Sequence, residues 1–69
     1  MSLTEISAAV DRARAEFNEM PGLRLTIPQA ARLWGLDPAA CHDVVAALVH
    51  GAFLRRTPGG LVARAEDTR

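Results

Sequence analysis

Two helix-start signals stand so close together in the middle of this chain that one continuous helix cannot contain both. Thr26 with Gln29 three residues later forms a capping box, and Pro28 fits the first helical turn, so a helix is predicted over residues 27–34. Gly35 follows where a helix ends on a left-handed residue, and Leu36 can fold back over that end. Asp37-Pro38 then restarts the chain: Asp37 caps, Pro38 opens, and a further helix runs to about His50, with Gly51 as its stop. Helices joined only by Gly35, Leu36 and Asp37 must turn sharply against each other.

The flanks supply the rest of the fold. Ser2 and Glu5 make a second capping box for a helix over residues 3–19, which Pro21-Gly22 ends. Leu3, Ile6, Val10, Ala13, Phe17 and Met20 recur at spacings of three and four, so they are expected to form its buried stripe. Leu23-Arg24-Leu25 alternates as a short strand would. In the helix over 38–50, Cys41, Val44, Val45 and Leu48 face inward, whereas Ala39, His42, Asp43 and Ala46 face outward. Phe53–Arg56 and Leu61–Arg64 flank Thr57-Pro58-Gly59-Gly60, a hairpin with proline and glycine at its turn. The expected fold is therefore mainly α with a small β-hairpin, an α+β domain over residues 1–64 in the order helix, strand, helix, helix, hairpin. Residues 65–69 read as a polar tail.

At 69 residues the chain is one domain, and its 49% apolar content suits an ordered core built on Leu, Val, Ile and Ala. The single cysteine, Cys41, excludes an internal disulfide and suits a reducing cytoplasm. No apolar run approaches the roughly 18 residues of a membrane span, so a membrane is not an expected partner. The N-terminus lacks a secretory pattern. His42, His50 and Cys41 cannot supply a tetrahedral metal set, and no nucleophile, base and orienting group come together; neither an enzyme nor a cofactor is expected. The formal net charge is zero but unevenly spread. Residues 1–20 set Arg12 and Arg14 against Glu5, Asp11, Glu16 and Glu19. Residues 21–64 set Arg24, Arg32, Arg55, Arg56 and Arg64 against only Asp37 and Asp43. A basic middle with an acidic back is an asymmetry that a small nucleic-acid binder can use.

The segment from Ile27 to Leu48 resembles the bacterial helix-turn-helix signature. Ala31, Gly35, Cys41 and Val44 stand at its small, glycine and apolar positions, with Ala30, Trp34 and Leu36 at other buried ones. Leu48-Val49-His50-Gly51-Ala52-Phe53-Leu54 and the arginine-bearing hairpin look like the wing of winged-helix transcriptional regulators. The likeness covers about residues 3–64. It implies a cytoplasmic bacterial transcription regulator that binds double-stranded DNA, with the helix over 38–50 in the major groove and the hairpin along the backbone or in the minor groove.

The chain departs from a strong sequence reader. Ala39, His42, Asp43 and Ala46 include no Arg, Lys, Asn or Gln, so the bidentate base contacts worth roughly 1–3 kcal/mol each are missing. Ala39 and Ala46 can touch thymine methyls and Asp43 can accept from a cytosine amino group, but base specificity is expected to be weak. Phosphate contacts are expected from Arg24, Gln29, Arg32, Arg55 and Arg56. Arg55 and Arg56 point to opposite sides of the hairpin, and which one faces DNA depends on a register the sequence leaves open. The alternative is a winged-helix module for protein–protein contact or homodimerisation without DNA, which an alanine-rich outward helix face would suit.

Overall fold

The computed structural model describes residues 2–65. The elements are α1 (Leu3–Glu19), β1 (Arg24–Thr26), α2 (Ile27–Trp34), α3 (Pro38–His50), β2 (Leu54–Arg56) and β3 (Leu61–Arg64). The strands form one antiparallel sheet in the order β1-β3-β2, giving three helices and a small sheet in an α+β arrangement.

Each helix begins as local chemistry dictates. The Ser2 hydroxyl accepts from the Glu5 N–H at 3.2 Å, and the Glu5 carboxylate accepts from the Ser2 N–H at 2.9 Å. Thr26 and Gln29 repeat the exchange at α2 with the same two distances. Asp37 Oδ1 accepts from the Ala40 N–H at 2.7 Å at the start of α3. These bonds satisfy amide groups that would otherwise lack helical partners. Between α2 and α3, Gly35 takes φ 67° and ψ 34°, and the Leu36 N–H reaches back to the Ala31 carbonyl at 2.9 Å.

α3 ends at His50 with Gly51 as its cap, as expected, and the left-handed residue of the turn comes one position later. Gly51 has φ −81°, and the left-handed residue is Ala52, at φ 62°. The Ala52 N–H bonds the Val49 carbonyl at 3.0 Å and the Phe53 N–H bonds the Leu48 carbonyl at 2.9 Å. That pair of bonds is the Schellman arrangement, with alanine where glycine is usual.

The core lies where α1, α2, α3 and the inner face of the sheet meet. Phe17, Ala13, Ala30, Cys41, Val44 and Val45 are fully buried, and Trp34, Leu48, Leu54 and Val62 nearly so. Ala30 and Ala31 are small enough for α2 to approach its neighbours closely. Phe17 and Trp34 meet edge to face at 6.3 Å, a favoured aromatic geometry. No polar or charged residue is buried among the described residues.

Several boundaries correct the sequence expectation. The α1 stripe holds at Ala13 and Phe17, with Ile6 and Val10 packed at its edge and Ala9 added, but Leu3 is 85% exposed and Met20 49%. Both exposed residues lie at the ends of the 17-residue helix, one at its first position and one just past its last. β1 is Arg24–Thr26 rather than 23–25, and it is not isolated: it pairs along β3 with Leu25 opposite Val62. Phe53 lies outside β2 and packs between two arginines, with the Arg14 and Arg64 guanidinium carbons 5.3 and 4.9 Å from its ring centre. Arg64 also donates to Asn18 Oδ1 at 2.8 Å, tying the hairpin to α1. Ala65 belongs to the folded unit, since its N–H bonds the Phe53 carbonyl at 3.1 Å; the remainder of the expected tail, 66–69, lies outside the described residues.

Candidate functional site

The outward face of α3 is as its period predicts. Ala39, His42, Asp43 and Ala46 are all exposed, while Cys41, Val44, Val45 and Leu48 are buried. His50, in the last turn, is exposed as well. The Cys41 thiol points inward, its Sγ 3.7 Å from the Ile27 carbonyl oxygen, and burial raises its pKa. No group of three metal-ligating side chains occurs among the described residues. None of their helices is long and apolar enough to cross a membrane.

The hairpin register places Arg55 and Arg56. The turn closes with the Gly60 N–H on the Thr57 carbonyl at 3.0 Å and the Thr57 N–H on the Leu61 carbonyl at 2.8 Å, and Gly60 has φ 81°. A left-handed residue after the turn is the pattern of a three-residue loop with a bulge. It sets Leu54 opposite Arg64, Arg55 opposite Ala63 and Arg56 opposite Val62. Directly opposed residues share a face of an antiparallel sheet. Leu54 and Val62 are core residues, so Arg56 belongs to the inner face; it sits next to the turn, where it is exposed. Arg55 belongs to the outer face.

β1 adds a feature invisible to the sequence. Arg24 pairs with Ala63 from the other side, so Arg24, Ala63 and Arg55 form one row across the outer face. Strands lie about 4.8 Å apart, which puts the two arginine backbones about 10 Å from each other. Ala63 is fully buried although it lies outside the core cluster. Arg55, directly opposite it, is half-buried, with its Nε out of solvent and lacking a hydrogen-bond partner among the described residues.

Arg24 also borders a second feature. With Leu25, Gln29, Arg32 and Leu33 it lines an open depression of about 460 Å³ between β1 and α2. Three of the expected phosphate contacts, Arg24, Gln29 and Arg32, thus come together around one hollow. Gln29 Oε1 is held by the Thr26 N–H, so the amide end left over is a donor. A larger depression of about 520 Å³, between α1 and the α2–α3 turn, carries the Glu5 and Asp37 carboxylates with Arg12 on its lining. Its acidic members make it a poorer host for phosphate.

The arginines divide into two sets. Arg12 donates to the Leu33 carbonyl at 3.3 Å, Arg14 lies over Phe53, and Arg64 is held by Phe53 and Asn18. Arg24, Arg32, Arg55 and Arg56 have no side-chain hydrogen bond or ion pair within the described residues. No carboxylate occurs anywhere on β1, α2, β2 or β3. Among the described residues, the charge imbalance seen along the sequence therefore becomes four guanidinium groups without an ion-pair partner on neighbouring elements. Comparison with family models, with curated proteins and with solved structures returned no match.

Proposed function

We propose that this chain is a DNA-binding domain of the winged helix-turn-helix type, acting as a bacterial transcription regulator or as the DNA-reading part of one. The observation that carries this reading is the set of arginines without a partner among the described residues, Arg24, Arg32, Arg55 and Arg56, on elements without a carboxylate. Arginine matches phosphate oxygens with a planar fork of donors, and an arginine with no internal partner gives up little to make that contact. The reading places α3 toward the major groove and the β2–β3 hairpin beside the backbone. Ala39, His42, Asp43 and Ala46 then supply few base contacts, so affinity is mostly electrostatic and sequence preference is shallow. A cytoplasmic setting suits the single buried thiol of Cys41.

A salt titration of duplex binding tests the reading. Four phosphate contacts give a log–log slope of affinity on salt of about −3.6, at roughly −0.9 per contact. Replacing Arg55 and Arg56 by Ala together should flatten that slope by about 1.8. Binding that is undetectable at low salt would overturn DNA as the partner. The exposed alanines of α3 would then favour the second reading, a surface that docks another protein or a second copy of this chain.

A further inference from the structure

We infer that the hollow between β1 and α2 is a binding site for a phosphate monoester carrying an apolar body. The inference goes beyond duplex binding, because it concerns a free ligand that this surface would hold without DNA. Five residues line the hollow, and they divide by chemistry. Arg24, Gln29 and Arg32 present donors, and Leu25 and Leu33 present hydrocarbon.

The donor character follows from the fold. Arg24 and Arg32 are cations with no internal partner among the described residues. A glutamine can ordinarily offer either end of its amide, but here the α2 capping box fixes the choice. Gln29 Oε1 accepts from the Thr26 N–H at 2.9 Å, which leaves the two Nε2 hydrogens for a ligand. Arg32 follows Gln29 by three residues on the same helix, so both side chains lie on one face of α2, and Arg24 approaches from the strand. Donors from two elements surround the hollow, and among the described residues that line it no carboxylate opposes them. A phosphate monoester, with three terminal oxygens and up to two negative charges, matches three such donors better than a carboxylate or a neutral ligand does.

The hydrocarbon completes the specificity. Leu33 is 40% exposed, a large apolar side chain left in water at the edge of the hollow. Leu25 is half-buried beside it. An aryl or alkyl group attached to the phosphate would cover this surface, whereas inorganic phosphate would leave it wet. The phosphates of a DNA backbone share the anionic chemistry, so the two sources must be separated by experiment.

Amide and guanidinium resonances of the ¹⁵N-labelled full chain, without DNA, provide the test, with phenyl phosphate and inorganic phosphate as probes. The expected result is saturable movement of the Gln29 Nε2 and the Arg24 and Arg32 Nε signals, with phenyl phosphate bound about tenfold more tightly than inorganic phosphate. Arg32→Ala should abolish the response, and Leu33→Ser should remove the preference for the phenyl group while retaining phosphate binding. Equal affinity for the two probes would overturn the apolar part of the site. Movement at Arg55 and Arg56 but not at Gln29 would show a diffuse cationic surface instead and overturn the site altogether. Duplex binding by a chain that ignores both probes would leave the DNA reading standing and sink this one; the reverse outcome would do the opposite.

Discussion

Replacing Ala52 by Gly should make this domain more stable, against the usual effect of introducing glycine. Ala52 holds φ at 62° to close the Schellman bonds that end α3. An L-residue in the left-handed region costs roughly 1–2 kcal/mol because its Cβ crowds the adjoining carbonyl, and glycine removes that cost. The greater freedom of glycine in the unfolded chain takes back roughly 0.5–1 kcal/mol. The Ala52 side chain is exposed, so no core contact is lost. The net gain is about 0.5–1 kcal/mol, which for a domain of this size raises Tm by about 2–8 °C. Gly35→Ala is the mirror experiment. Nothing lies within 4 Å of the Cβ it would add, yet its φ is 67°, so the strain of roughly 1–2 kcal/mol, less the roughly 0.5–1 kcal/mol that the stiffer unfolded chain returns, should lower stability by about 0.5–1 kcal/mol. Urea unfolding followed by circular dichroism gives both differences, with an unchanged m-value as the check that only stability moved. A destabilised Ala52→Gly variant would refute the assignment of the left-handed residue to position 52.

Other changes follow from the same packing. Phe17→Ala empties a fully buried site against Trp34 and should cost about 3–5 kcal/mol, enough to leave thermal unfolding without a cooperative transition. Arg64→Met should lower stability by about 1 kcal/mol in urea unfolding, through loss of the Asn18 bond and the contact with the Phe53 ring. Burial raises the Cys41 thiol pKa, so on raising pH the unfolded chain releases this proton before the folded one does. The stabilisation is full below the unfolded pKa and is lost as pH climbs through the raised folded value. Stability measured across the alkaline range should therefore fall, and Cys41→Ala should flatten that decline.

Local chemistry made most of the fold legible. Caps are decided by three or four consecutive residues, and Ser2/Glu5, Thr26/Gln29 and Asp37 all act where their spacing places them. The outward face of α3 was equally readable, because burial along a helix repeats with the helical period. What escaped depends on distant partners. The short strand was legible to within one residue, but its pairing of Arg24 with Ala63 joins positions far apart in the chain. That pairing assembles the Arg24–Ala63–Arg55 row, so this part of the site could not be seen before the sheet was. Which sheet face Arg55 and Arg56 each belong to awaited the register, set by a turn that ends on the left-handed Gly60. Ala52 was hidden by its neighbour, since a glycine at position 51 draws the eye as the helix stop. The expected burial of Leu3 and Met20 failed because periodicity tells which side of a helix is apolar, not how far the surface beneath it extends.

The most direct measurement compares duplex affinity for two double variants of equal charge at one low salt concentration. Arg24→Ala with Arg55→Ala removes guanidinium groups that lack partners among the described residues; Arg12→Ala with Arg14→Ala removes ones already engaged. With both folds verified by circular dichroism, the first pair should weaken binding by about tenfold to a hundredfold, and the second should change it by less than about threefold. Equal losses from the two pairs would mean that total charge rather than this surface holds the DNA, and would contradict the account.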